Sequence, residues 1–324
     1  MQTPAAGCWR RLAARSGEVF RYVLGAVSRG HGTRWRRLSQ TLRAAGVLLV
    51  LSLAGCAWLI DKQHALALRP TPGQPADFNG LRTGDERRLV PVDGGDNGTQ
   101  QLALWWLPNA DTAAPTLLYL HGTFRNLYQN LPKIEALREA GFSIVAVDYR
   151  GWGDSTPIIP SEATIVADAW RAWDDVVQRQ PDPGRRVIYG HSMGGTIAVR
   201  LASELVYGRD YGALAIESTF TSLPDVAAAA GFWGRVGAVL TTMDFDARSR
   251  IGAVDAPVWI LHGGKDRTVP VELGRQLRDA ARPGVHWVEF PDGSHSRLHS
   301  QFPEQYRQAF NELIGQLSRP ADVR

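Results

Sequence analysis

Three residues in this chain have the types and spacing for acyl transfer: Ser192, Asp266 and His295. Ser192 lies in Arg186-Val187-Ile188-Tyr189-Gly190-His191-Ser192-Met193-Gly194-Gly195, an apolar run that leads through Gly-x-Ser-x-Gly into a helical stretch beginning Thr196-Ile197-Ala198-Val199. That strand–turn–helix context is a nucleophile elbow. Its turn needs glycine at 190 and 194, because the strained serine backbone brings its neighbours too close for side chains. The turn exposes the hydroxyl and aims a helix N-terminus at the site, where its amides favour a developing anion.

A serine hydroxyl is a poor nucleophile until a base takes its proton. Asp266 follows Trp259-Ile260-Leu261-His262-Gly263-Gly264-Lys265, in a loop just past a strand. His295 follows Val288-Glu289-Phe290-Pro291-Asp292-Gly293-Ser294, just past the last strand. The order serine, acid, histidine is the one that goes with such an elbow. Glu217 and Asp292 are rival acids, Glu217 the better because it ends the run from Ala213. His299 is a rival base, but it is nearer the final helix, whose start Pro303 marks, so it is expected to point away from the serine. The pair His295 and His299 has no acidic or cysteine partner nearby to make a metal site. His191 and His262 read as packing residues that shape their turns. An oxyanion hole needs two backbone N–H groups. Met193 supplies one, and the loop His121-Gly122-Thr123-Phe124-Arg125-Asn126 the other, with Thr123 preferred and Phe124 its neighbour.

The elements that must carry these residues are legible as short apolar runs. Thr116–Leu120, Ser143–Asp148, Arg186–Tyr189, Ala213–Glu217, Val258–Leu261 and His286–Phe290 each suit a strand buried on both faces. Between them lie helical stretches. The clearest is Ala163–Gln180, where Ile165, Val166, Ala169, Trp170, Trp173 and Val177 recur at helical spacing. Arg88–Val92 and Gln101–Leu107, with a Gly-rich link, form a hairpin pattern. Alternating strand and helix imply a mostly parallel sheet covered on both faces. Residues 222–250 form a short insertion that suggests a shallow lid over a relatively open site.

The net charge of +4 conceals two regions of opposite sign. Residues 1–43 hold nine arginines and one acid, Glu18, a net of +8, which leaves −4 for the rest. Such an arm can bind nucleic acid, but it leads directly into the uncharged run Ala44 to Ile60, so topology explains it and nucleic acid is not expected as a partner. As a helix that run spans about 26 Å at ~1.5 Å per residue, the lower limit for crossing a bilayer. Arginine in front places the N-terminus in the cytoplasm and the rest across the membrane, the periplasmic side in a bacterium. Leu53-Ala54-Gly55-Cys56 gives a second reading, a lipobox with lipid on Cys56 after cleavage. Both readings stay open. The organisation expected is a basic arm or n-region 1–43, a membrane anchor or lipoprotein signal 44–60, a proline-rich linker 61–83, a catalytic domain 84–318 and a tail 319–324. Cys8 and Cys56 are the only cysteines, so the catalytic part has neither a disulfide framework nor a thiolate metal site. No Walker motif, dinucleotide fingerprint or zinc motif occurs, so no cofactor is expected.

Taken with Asp148-Tyr149-Arg150-Gly151-Trp152-Gly153-Asp154-Ser155, Pro160-Ser161-Glu162 and Glu217-Ser218-Thr219-Phe220-Thr221-Ser222, the elbow and its partners resemble the α/β-hydrolase superfamily. The similar branch holds serine-aminopeptidase-like hydrolases and membrane-anchored eukaryotic depalmitoylases and lysophospholipid lipases, and the resemblance covers about residues 60–318. It implies an α/β-hydrolase fold with an N-terminal antiparallel hairpin, helices on both faces and a short lid. It also implies an ester, thioester or lipid acyl substrate, with an aminopeptidase or a non-catalytic binding module as the alternatives. Oligomeric state stays open. One departure stands out. His121-Gly122-Thr123-Phe124-Arg125 replaces the Asn and small residues that such enzymes often carry, which puts Phe124 and Arg125 near the substrate.

Overall fold

The six apolar runs and the two arms of the hairpin pattern become eight strands. In the computed structural model, which describes residues 46, 55 and 58–317, they are β1 (Glu86–Asp93), β2 (Thr99–Leu107), β3 (Thr116–Leu120), β4 (Ser143–Asp148), β5 (Arg186–His191), β6 (Ala213–Glu217), β7 (Val258–Gly263) and β8 (His286–Phe290). They form one sheet in the order β1-β2-β4-β3-β5-β6-β7-β8. β1 and β2 make an antiparallel hairpin, and β2 joins β4 antiparallel. Every later pairing, from β3–β4 to β7–β8, is parallel.

Side chains alternate across each strand, so each strand feeds two cores. Leu118, Leu120, Ile188, Leu214, Ile216 and Ile260 pack on one face, against α2 (Glu162–Arg179), α3 (Met193–Glu204) and α7 (Val271–Ala280). Leu117, Tyr119, Val187, Tyr189, Trp259 and Leu261 pack on the other, against α1 (Leu127–Glu139) and α9 (Pro303–Leu317). Ser161 opens α2 with a capping box: its hydroxyl accepts from the Thr164 amide, and Thr164 reaches back to the Ser161 N–H, which satisfies two otherwise orphaned donors. Gly141, with φ of +111°, takes the chain out of α1 and into β4.

The insertion after β6 is built of α4 (Leu223–Ala229), α5 (Phe232–Leu240) and α6 (Arg248–Ile251). α4 and α5 cross closely, since a Cβ on Gly234 would come within 1.9 Å of the Ala227 carbonyl oxygen. α8 (Leu298–Gln301) separates β8 from α9.

The proline-rich segment is bonded to the residues that follow it, so ordered contacts begin before Gly84. Leu68, at the end of a helical stretch 58–68, is buried in the core. Pro72 then bridges to Gly153, with Gly73 N–H donating to Gly153 O at 2.7 Å and Gly153 N–H to Thr71 O at 3.0 Å. Prolines lack donors but keep their extended shape and the carbonyls of their neighbours, so the segment is a good edge acceptor. Asn126 exploits that: its side-chain amide donates to Thr71 O and Gly73 O while its oxygen caps α1.

Among the described residues no helix is long and apolar enough to cross a membrane. The run 44–60, the basic arm 1–43 and the tail 319–324 lie outside the described residues, apart from residues 46, 55 and 58–60.

Candidate active site

The elbow is built by close backbone approaches that admit no side chain. A Cβ on Gly190 would sit 2.1 Å from Gly194 O, and one on Gly194 would sit 2.1 Å from Leu120 O. Ser192 between them has φ of +56°, a conformation that costs a non-glycine residue free energy and survives only where its surroundings dictate it. Two backbone bonds do so: Ser192 N–H donates to Glu217 O at 2.9 Å, and Gly195 N–H donates to Ser192 O at 2.9 Å.

The parallel register ends β5, β6, β7 and β8 at one edge, where their loops meet. His191 pairs with Glu217, and Gly263 pairs with Phe290. There the structure brings Ser192, Asp266 and His295 into one line. His295 Nε2 is 3.1 Å from Ser192 Oγ, and His295 Nδ1 is 2.7 Å from Asp266 Oδ2. The other carboxylate oxygen, Asp266 Oδ1, accepts from the Thr268 and Val269 amides at 2.8 Å each. Burial pushes the Asp266 carboxyl up, but the hydrogen bond and charge of His295, with those two amides, outweigh it and hold the group below its ordinary range. A carboxylate so fixed holds the Nδ1–H tautomer of His295 and leaves Nε2 free to accept from the serine.

The rival acids are engaged elsewhere. Glu217 is fully buried, ion-paired with Lys133, and accepts from Tyr189 Oη at 2.6 Å and Tyr306 Oη at 2.9 Å. Asp292 is exposed and pairs with Lys265 at 2.6 Å. His299 has its ring 6.1 Å from that of Tyr306, and burial, helped by the Lys133 charge, pushes it down to about 4.

Two histidines do more than fill space. Burial, then the Lys133 and His295 charges, hold His191 well below its ordinary range. The neutral ring donates from Nε2 to the His295 carbonyl oxygen at 2.9 Å. His191 therefore pins the backbone of the histidine loop. His262 Nε2 donates to Val269 O at 3.0 Å and so steadies the loop that carries Asp266. Both rings were legible as packing residues that shape their turns; the bond from His191 to a loop 104 residues away was not.

Thr123 and Met193 line the same recess as Ser192. Met193 is the first residue of α3, where an amide has no partner within the helix, the position that suits an anion. The loop carrying Thr123 is fixed from behind by a neutral buried pair. Burial pushes the His121 ring down to about 4 and the Asp148 carboxyl well up. His121 Nδ1–H donates to Gly122 O at 2.6 Å, and its Nε2 faces Asp148 Oδ1 at 3.4 Å.

The recess beside Ser192 is apolar and encloses about 140 Å³, walled by Leu68, Phe220, Leu223, Val226, Phe245 and Val269. The insertion thus contributes Leu223, Val226 and Phe245 to its cover. Leu68 carried no signal in the sequence, because nothing in a residue just before a proline-rich stretch says which wall it will form. Among the described residues no three His, Cys, Asp or Glu side chains converge so as to hold a metal ion.

A mostly parallel sheet with an elbow serine at its carboxyl edge defines the class: an α/β-hydrolase. Residues 112–243 match the family described as serine aminopeptidase, S33. An uncharacterized protein of Mycobacterium tuberculosis is 30% identical over 260 residues, spanning 78% of this chain and 89% of that protein. The lysophosphatidylserine lipase of Danio rerio is 31% identical over 194 residues, covering 55% of this chain and 50% of its own length. The chain thus spans about half the length of that lipase. An esterase of Pyrococcus furiosus shares the fold with a TM-score of 0.61 at 19% identity, over 76% of this chain and 97% of that one. The chain belongs to the α/β-hydrolase superfamily and is similar to its serine-aminopeptidase-like and lysophospholipid-lipase members.

Proposed function

We propose that this hydrolase cleaves a carboxylic ester, a thioester or a lipid acyl bond through an acyl-enzyme on Ser192. The observation that carries the reading is the unbroken hydrogen-bonded line from Asp266 through His295 to Ser192 beside an apolar recess. In the first half-reaction His295 Nε2 takes the serine proton as Oγ bonds to the acyl carbon. The oxyanion is held by the amides of Thr123 and Met193. Collapse breaks the bond to the leaving oxygen or sulfur, which receives the same proton from His295. Water, deprotonated at the same Nε2, then attacks the acyl carbon and releases Ser192 with its proton restored.

The aminopeptidase reading is weaker. Holding a substrate ammonium calls for a carboxylate beside the scissile bond, whereas neither recess at Ser192 has an Asp or Glu in its wall among the described residues. A panel of acyl esters of graded chain length, run beside aminoacyl amides, tests the choice. Ester turnover that peaks at short to medium chains is expected. Turnover of the amides with none of the esters would overturn it.

We propose further that residues 44–60 hold the enzyme at the membrane, as a helix or through lipid on Cys56, with the catalytic unit on the extracytoplasmic side. The arginine-rich arm and the uncharged run behind it support this.

A further inference from the structure

Ser192 stands at the junction of two recesses whose walls have Thr123, Phe124 and Ser192 in common and no other residue. The first is the apolar one. The second is small, about 30 Å³, and its wall includes Arg125, Asn130, His191, His295 and Ser296. An ester has two sides as well, an acyl chain and a leaving group, and water-shunning walls suit the chain. The polar recess is left for the leaving group.

Arg125 is the formal charge that this recess presents to a substrate. It is exposed, and no carboxylate lies within ion-pair range of it among the described residues. Several other arginines pair with acids, Arg138 with Asp85, Arg150 with Asp168, Arg179 with Glu86 and Arg275 with Glu289, while Arg185 and Arg186 donate to backbone carbonyls. The acids near Ser192 are already committed, Asp266 to His295 and Glu217 to Lys133. Arg267 and Arg297, next to Asp266 and two residues past His295, are exposed and likewise have no carboxylate partner among the described residues. Burial chiefly lowers the pKa values of His191 and His299, and the Arg125 charge adds to that lowering, so its field reaches into the site. Its loop is also held in place. Asn130 Nδ2 donates to Arg125 O at 3.3 Å, Asn126 ties the next residue to 71–73, and Arg69 lies 4.8 Å over the Phe124 ring. Phe124 has φ of +73°. An unpaired guanidinium on a braced loop is suited to bind an anionic oxygen group.

Resting on the ester reading above, we propose that the polar recess takes the leaving group and that Arg125 makes the enzyme select leaving groups bearing a phosphate or a carboxylate. The test uses butanoyl esters, short enough to stay monomeric and to fit the apolar recess, of three alcohols: glycerol, glycerol phosphate and glyceric acid. The readout is the ratio of kcat/KM for each anionic ester to that for the neutral one, which is indifferent to the fraction of protein folded. A ratio of about tenfold or more is expected for the native chain, falling as ionic strength rises. Arg125→Gln should bring it near one, Arg125→Glu below one, and Arg125→Lys should keep part of it. Preference for one anion alone identifies which group the site takes. A native ratio near one, or one unchanged in Arg125→Gln, overturns the proposal. If the native chain cleaves none of the three esters while a fluorophosphonate still labels Ser192, the ester reading fails and takes this selection with it.

Discussion

His295 can act as a base only while Nε2 is unprotonated and within reach of the serine, and Asp266 and His191 serve those two needs from opposite sides. Asp266 fixes the tautomer through Nδ1. His191 fixes the backbone through the carbonyl oxygen. His295→Ala is therefore expected to lower kcat by about 10⁴-fold or more, while His299→Gln retains most activity. His299 also bears on stability in acid. The native His299 ring titrates near 4 instead of the ordinary 6.5. Between those values the unfolded chain binds a proton that the native chain does not, so this part of the stability is complete above 6.5 and is lost as the pH falls toward 4. After allowance for screening at its exposed edge, the loss is about 1 kcal/mol, and His299→Gln should remove it from a series of thermal melts. An equal acid loss in His299→Gln, or a dead His299→Gln beside an active His295→Ala, would contradict the assignment. Ser192, Asp266 and His295 were legible because each sits directly past an apolar run, in a glycine-marked loop. The grip of His191 on residue 295 was not, since a bond across 104 residues leaves no local pattern.

Strands buried on both faces announce themselves as apolar runs, which is why β3, β4 and β6 have the bounds that their residues suggest. β8 has its expected bounds too, but as the edge strand it is half-buried along most of its length rather than covered on both faces. β5 and β7 run two residues further, through Gly190-His191 and His262-Gly263, because the loops they meet at the carboxyl edge continue the ladder. Gly190-His191 begin the elbow, and His262-Gly263 lead into the loop that carries Asp266. Gly194→Ala would place a methyl 2.1 Å from Leu120 O, a backbone atom of the neighbouring strand that cannot swing aside. A loss of about 1–3 kcal/mol is expected, read as a lower Tm. Loss of fluorophosphonate labelling at temperatures where the variant is still folded should accompany it, because the elbow must open to fit the methyl. Native-like labelling with an unchanged Tm would show that the approach is not tight. The proline-rich segment shows the opposite limit of legibility. Its composition states that it is extended, and nothing in it states that Thr71 and Gly73 will accept from Asn126.

For the whole chain, charge separates what composition averages: an arm of +8, a run without charge, then a unit of −4. Carbonate-washed membranes are expected to retain the full-length chain and to release one that starts at Lys62. Cys56→Ser separates the two modes of attachment, since unchanged mass and retention would leave the helix and exclude the lipid. Release of the full-length chain by carbonate would exclude both. The chemistry itself is tested most directly by fluorophosphonate labelling of the folded native chain and of Ser192→Ala, followed by peptide mass mapping. Stoichiometric labelling at Ser192 is expected, with none in Ser192→Ala and ester hydrolysis lower by about 10⁴–10⁶-fold. Robust labelling and turnover in a folded Ser192→Ala would contradict an acyl-enzyme on that residue.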